Sequence, residues 1–328
     1  MLSYILRRLG LAIVTVLAIS VISFAIIQLP PGDYVDAYVA QLQSSGTLVT
    51  QDVITNLRAE YGLGQPIYVQ YGKWMGKLVH GDLGESLQYK RPVTDVIGSR
   101  LALTMVVSLF ALLLTWIIAL PIGIYSAMRQ YSFADYIFTF ISFLGLAVPS
   151  FLLALIIMYF SFRYFGADIG GLFSSQYQTA PWSWAKVVNL LGHIPVPAIV
   201  LGLAGTAEAM RIMRANLLDE IRKPYVVTAR AKGMTERQAI LKYPVRVALN
   251  PFASTIGYSL PYIVSGSIIV SIVLSLPTVG PLLLNALQAQ DMYLAGAIVL
   301  LLGALTVIGT FLSDLLLLWI DPRIRLGV

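Results

Sequence analysis

The sequence predicts an all-α integral membrane protein, on three observations. Of 328 residues, 58% are hydrophobic and only 12% are charged, against about 25% charged in ordinary soluble domains. The apolar residues gather in runs of about twenty or more, the length a helix needs to cross hydrocarbon, not in the short alternating segments of barrel strands. The basic residues collect between and beside those runs, as they do in cytoplasmic loops. Lipid offers no water to backbone N–H and C=O groups, so only helices and closed barrels cross it, and runs of this length read as helices.

About six spans are expected, at 9–29, 101–128, 134–162, 190–213, 252–276 and 293–320. The first follows Arg7 and Arg8 and contains no small-residue cleavage site, so it reads as a retained span and not a secretory leader. The longer runs exceed one crossing, so they tilt or continue past the lipid. Pro121 and Pro149 fall within apolar runs, where each removes a helical hydrogen bond and can kink the span. Gly202 and Gly205 in the fourth run, and Gly257, Ser265, Gly266 and Ser267 in the fifth, supply small surfaces for close helix contact.

Orientation follows from the cations. With six alternating spans, Arg7, Arg8, Arg129, the nine basic residues in 211–246, Arg323 and Arg325 share one side, which is then cytoplasmic, with both termini. The other side receives residues 30–100, with seven acidic and six basic residues, and residues 163–189 with Trp182 and Trp184. Val53, Leu57 and Tyr61 have helical spacing, and Gly62, Gly64 and Pro66 signal a turn after them. Residues 1–29 are thus read as an N-terminal helix, 30–100 as an external segment, and 101–328 as a core of five helices holding a cytoplasmic loop at about 214–250. In Gly81-Asp82-Leu83-Gly84-Glu85-Ser86 two glycines permit a tight turn, and Asp82 can accept from neighbouring amides to anchor the external segment near span two.

Several function classes find no support. The net charge of +6 follows membrane topology and does not point to nucleic acid. Cysteine is absent, so there is no disulfide or thiolate site. His80 and His193 stand apart without metal-ligand spacing. No Gly-x-x-x-x-Gly-Lys-Ser/Thr loop occurs to cradle ATP phosphates, and nothing suggests an intramembrane hydrolase. The chain reads as non-catalytic.

The most informative stretch runs Arg222-Lys223-Pro224-Tyr225-Val226-Val227-Thr228-Ala229-Arg230-Ala231-Lys232-Gly233-Met234-Thr235. Pro224 can open a short helix, and Gly233 can end it in the left-handed conformation of a C-cap. Lys232 then lies by the negative end of the helix dipole. Tied to spans at both ends, such a helix suits insertion into a groove on a soluble partner, and equally an interfacial position over anionic lipid.

Thr228-Ala229-Arg230-Ala231-Lys232-Gly233 resembles the coupling-helix segment of binding-protein-dependent ABC importer permeases. Val227 and Thr228 stand where the general motif has Glu-Ala, and the later Ile-x-Leu-Pro element is absent; the form found here is that of the oligopeptide and dipeptide branch. Tyr61-Gly62-Leu63 with Gln65-Pro66, Gly81 to Ser86, Arg91-Pro92-Val93, Val148-Pro149-Ser150-Phe151 and Asp321-Pro322-Arg323-Ile324-Arg325-Leu326 resemble the B-type permease of that branch, in order along nearly the whole chain. Pro31-Gly32-Asp33-Tyr34 replaces a familiar Pro-Gly-Asp-Pro.

The resemblance implies the ABC type I importer permease fold and import of short peptides, with oligosaccharides or other peptide-like solutes as the alternative cargo. It implies a homologous C-type permease, two ATP-binding-cassette ATPases that hold the ATP and Mg, and an external substrate-binding protein as partners. It places Tyr225, Thr228, Ala229, Arg230, Ala231, Lys232, Gly233 and Met234 at the ATPase contact, and Tyr258, Tyr262 and Ser265 of span five beside the pathway. Glu208 and Asp314 are ionisable residues in spans, which favours a protein-facing or watery position for each. Glu208 is a pathway candidate or a partner of Arg211, and Asp314 matches an acidic position in the family's last span while lying near its cytoplasmic end. A free-standing channel or ion-coupled carrier is the rival class, resting on these two carboxylates alone.

Overall fold

Among the described residues, the most apolar stretches are helical. The structure is a computed structural model that describes residues 2–28, 32–44, 49–61, 63–166, 169–252 and 268–320. In chain order the helices are α1 (Leu2–Gln28), α2 (Tyr34–Ser44), α3 (Gln51–Tyr61), α4 (Ile67–Val79), α5 (Val93–Met128), α6 (Phe133–Ala147), α7 (Ser150–Phe165) and α8 (Ser175–Gln178). They continue as α9 (Trp184–His193), α10 (Pro195–Ile221), α11 (Pro224–Ala231), α12 (Glu236–Lys242), α13 (Pro244–Ala248), α14 (Ile268–Val273), α15 (Val279–Gln288) and α16 (Met292–Ile320). A two-stranded antiparallel hairpin pairs β1 (Glu85–Ser86) with β2 (Arg91–Pro92), Glu85 opposite Pro92.

Among the described residues, α1, α5, α10 and α16 each hold a stretch long and apolar enough to cross a membrane, and α6 with α7 makes a fifth when taken together. The third expected span, 134–162, is therefore not one straight helix: α6 and α7 meet at 102°. The reason is local. Pro149 has no N–H to continue the ladder, and its extended backbone (φ −58°, ψ 135°) restarts a helix at Ser150. The fifth expected span, 252–276, falls largely outside the described residues. Pro121 lies inside α5 without ending it.

By contact the chain forms two units, Met1–Thr104 with Thr278–Ile308, and Met105–Pro277 with Gly309–Val328. In the first, Phe24 of α1 stacks on the buried Trp74 of α4 at 5.6 Å and meets Tyr71 edge-on at 5.4 Å, while Ser20 and Tyr71 share a hydrogen bond of 2.9 Å. Arg58 of α3 pairs with both Asp33 and Asp36 at the start of α2. Val93 and Ile97 of α5 are buried with Val279, Leu282 and Ala286 of α15 and Leu294 and Ile298 of α16.

The expected turn at residues 81–86 is present. Gly81 and Gly84 take φ of 78° and 84°, and the Gly84 N–H donates to Asp82 Oδ1 at 2.8 Å. The stronger tie is remote in sequence. Asp291, fully buried, accepts from the Ser86 hydroxyl and the Gln88 N–H (3.0 Å) on Oδ2 and from the Leu294 N–H (3.1 Å) on Oδ1. One carboxylate thus caps α16 and fastens the hairpin to it. A Cβ on Gly84 would lie 2.9 Å from the Tyr293 ring, so glycine is required there twice over.

The second unit is organised by a close approach of α5 to α10. A Cβ on Gly202 would stand 2.9 Å from Thr115 Oγ1 and 3.1 Å from the Ala111 carbonyl oxygen; one on Gly123 would stand 2.7 Å from Met213 Cβ. Thr115 Oγ1 donates to the Gly202 carbonyl at 3.2 Å. Ala119, Ala127, Met210, Met213 and Leu217 fill the contact, with Ile240 of α12 and Val245 and Ala248 of α13 beneath them. At the start of α6, Ser132 caps the helix and buried Asp135 takes a two-pronged hydrogen bond from Arg214 of α10, at 3.0 and 3.1 Å.

Two outcomes are expected. Gly123→Ala overpacks the α5–α10 contact at a cost of about 1–3 kcal/mol and lowers the thermal midpoint of the monodisperse protein in detergent, whereas Gly98→Ala, with nothing within 4 Å of the added carbon, keeps or raises it, alanine being the better helix former. Asp291→Ala strands buried donors at about 1–3 kcal/mol each, so limited trypsinolysis read by mass spectrometry cuts after Lys90, the Arg91–Pro92 bond being resistant, faster than in the unaltered chain.

Candidate functional site

Helix α11 begins and ends as its sequence requires. Lys223 is its N-cap, in extended conformation, and Pro224 occupies the first helical position, where a missing N–H costs nothing. At the other end Lys232 is the C-cap and Gly233 turns left-handed with φ 82°. The Gly233 N–H bonds the Arg230 carbonyl at 2.9 Å and the Met234 N–H bonds the Ala229 carbonyl at 3.3 Å, the paired closure of a Schellman motif. Thr235 immediately opens α12 with a capping box: its hydroxyl accepts from the Gln238 N–H, and Gln238 Oε1 accepts from the Thr235 N–H.

This double cap fixes which way α11 faces. Val226 and Ala229 are buried, at 0% and 4% exposure, while Pro224, Tyr225, Val227, Thr228, Arg230, Ala231 and Lys232 are exposed. Helical spacing puts Pro224, Val227, Thr228 and Ala231 on the side opposite Val226 and Ala229, a small, mostly apolar strip flanked by Arg230 and Lys232. Met234 is half-buried.

Two ion pairs hold the helix to its neighbours. Glu220, in the last turn of α10 and almost wholly buried, accepts from Lys223 Nζ and from the Tyr225 hydroxyl. Burial, and then the Glu220 carboxylate, push the Tyr225 phenol well above its ordinary pKa, so it remains a neutral donor. Arg230 meets Glu236 of α12 in a two-pronged, solvent-exposed pair, Nε to Oε2 at 2.7 Å and Nη2 to Oε1 at 2.6 Å. The hydrogen bond to Arg230 holds the Glu236 carboxyl below its usual range. Being exposed, this pair sets geometry more than stability.

All eight residues expected at a partner contact therefore gather on α11 and its C-terminal cap, though Ala229 faces into the chain. Glu220, Glu236 and Gln238, which hold that helix in place, were not among the expected residues; their signals are the short spacing from Glu220 to Lys223 and Tyr225 and the Thr235-x-x-Gln238 box. Glu208 lies on α10, upstream of Glu220 and exposed, and does not pair with Arg211, whose guanidinium sits 6.0 Å over the Phe143 ring. Asp314 lies on α16, half-buried. Tyr258, Tyr262 and Ser265 lie outside the described residues. His80 and His193 each bond a helix carbonyl through Nδ1, those of Gly76 and Asn189.

The contrast between the two faces is testable. Val226→Asp buries a carboxylate without a partner, an outcome that costs several kcal/mol, and sharply reduces the yield of folded protein by size-exclusion chromatography; Val227→Asp, on the exposed face, leaves that yield unchanged.

Comparison with known proteins gives the family. Residues 119–326 match the family described as binding-protein-dependent transport system inner membrane component, and residues 1–109 match its N-terminal companion family. A Brucella ovis protein with a provisional peptide-permease name is 37% identical over 99% of both chains. The oligopeptide transport system permease protein AppB of Bacillus subtilis is 34% identical over 99% of this chain and 100% of its own length. The dipeptide transport system permease protein DppB of Escherichia coli is 29% identical over 99% of each. With a family match over well over half its length and full-length relatives above 30% identity, the chain belongs to the binding-protein-dependent transport family, as one of its multi-pass inner membrane components.

Proposed function

We propose that this chain is the B-type transmembrane subunit of an ATP-driven importer of short peptides, with α11 as the helix that docks on an ATPase subunit. The observation that carries the reading is the geometry of α11: a short helix capped at both ends, pinned through Glu220 and Glu236, and presenting Val227, Thr228 and Ala231 outward between basic flanks. A rigid, shallow-faced helix of this kind fits a groove on a soluble partner. The peptide cargo is supported by the names of the relatives from Bacillus subtilis and Escherichia coli.

In this reading the chain binds no nucleotide. A homologous C-type permease completes the pathway, two ATPase subunits bind ATP and Mg, and an external binding protein delivers cargo to the side bearing residues 30–100. The termini and α11 are cytoplasmic, consistent with the nine basic residues of 211–246. Closure of the ATPases pulls on α11, and Glu220 passes that displacement to α10. The path then alternates between inward and outward access as a rigid-body change, driven by the difference in ATPase affinity for the two states.

The test is co-purification of the chain with the ATPases encoded beside it, comparing the unaltered sequence with Thr228→Trp and Ala231→Trp. Both positions are exposed, so membrane insertion is retained while ATP-dependent peptide uptake into vesicles falls by at least about tenfold, the effect of about 1.4 kcal/mol lost at the contact. Uptake that proceeds without ATPase would replace this reading with a channel or ion-coupled carrier. Uptake competed by oligosaccharides and not by peptides would change the cargo.

A further inference from the structure

Helix α9 turns Lys186 and Asn189 inward together with Leu190, and leaves a second, apolar stripe facing outward. Lys186 is only 6% exposed; its ammonium donates to the Ala180 carbonyl at 2.6 Å and lies 4.9 and 5.2 Å from the rings of Phe173 and Trp182. One turn on, Asn189 accepts from the Ser174 N–H at 3.0 Å and donates to the Ser174 hydroxyl at 2.9 Å. One turn further, His193 bonds the Asn189 carbonyl at 2.7 Å. The opposite stripe carries Trp184, Val188 and Leu191, exposed by 79%, 53% and 45%.

This is the reverse of the arrangement that stabilises a helix at a water-facing surface. In water each of these large apolar side chains would forgo the stabilisation that burial gives. The stripe also continues. Ile194 keeps helical angles (φ −62°, ψ −36°), and the same spacing leads on through exposed Pro195 to exposed Ile199 on α10, a helix of span length and hydropathy. The outward face of α9 is thus continuous with a surface that a membrane span presents.

We propose that the apolar stripe of α9 lies in the boundary between lipid headgroups and acyl chains, with Trp184 as its interfacial anchor. The loop from Gly171 to Ser183, fastened to α9 through Lys186 and Asn189, is thereby held at the membrane surface. An indole suits this depth because its ring is apolar and its N–H can still reach water or headgroups. Lys186, folded back onto Phe173 and Trp182, removes the one cation of α9 from the face that meets lipid. A soluble protein docking there would need polar groups around an apolar centre, and the stripe offers none beyond the indole N–H.

The chain has no cysteine, so Val188→Cys and Leu191→Cys each accept a single nitroxide label. The full chain, assembled with its co-purifying subunits after their own cysteines are replaced, is reconstituted in phosphatidylethanolamine–phosphatidylglycerol vesicles. Electron paramagnetic resonance then compares collisions with oxygen, which enters lipid, and with a water-soluble nickel chelate. Oxygen collisions exceeding nickel collisions at both positions are expected. Nickel-dominated relaxation would place the stripe in water, and low collision with both reagents would place it under another subunit; either result overturns the proposal. Two positions are used so that a local disturbance by one label is exposed by the other.

Discussion

A peptide group in hydrocarbon has no water to turn to, so each interruption of a helix in this chain needs its own closure. That constraint decides where the backbone can break. Between α6 and α7 the Val148 N–H still bonds the Leu144 carbonyl, and the Leu152 and Leu153 N–H groups return to the Pro149 carbonyl. Pro149 itself brings no donor to satisfy. The chain can therefore turn through 102° while the groups at Val148, Leu152 and Leu153 keep backbone partners. At Gly166 the closure is a left-handed residue whose N–H bonds the Phe162 carbonyl. The breaks are placed where the sequence can cap them, and those capped breaks are what create short helices such as α11.

The same need explains why few polar side chains organise so much of the structure. Asp291 satisfies three donors at once, two of them on a segment about two hundred residues earlier. Asp135 joins the start of α6 to α10 through Arg214, and Glu220 joins the end of α10 to α11 through Lys223 and Tyr225. Each carboxylate sits beside a helix terminus, where orphan N–H groups or a neighbouring cation offset the cost of burying charge. Apolar packing holds the helices together, while these carboxylates choose which ends meet.

The helical class and the limits of α11 were legible in the sequence because both depend on near neighbours: apolar run length in one case, Pro224 and Gly233 in the other. The Thr235 to Gln238 box was equally local and escapes only a reading that stops at Gly233. The role of Asp291 was not legible, since nothing near it names Ser86 as its partner; that pairing is a product of packing. Nor was the angle at Pro149, because proline announces an interruption and leaves its direction to the surrounding contacts. Of the two readings open for Glu208, the pair with Arg211 does not form, because Phe143 offers the guanidinium a ring instead.

These features make α10 the element through which the second unit is coordinated. Glycines let α5 approach it to backbone contact at Gly202 and Gly123, Arg214 ties it to α6, and Glu220 ties it to α11. A displacement of α11 cannot be absorbed by slack at Glu220, because Lys223 and Tyr225 grip the same carboxylate from the N-cap and first turn of the helix. Nor can α10 shift freely against α5, since the closest atoms at Gly123 and Gly202 include backbone carbonyls and not only pliable side chains. Close packing transmits such strain as a movement of whole elements. The joint at Glu220 accordingly ties the position of α11 to the end of α10.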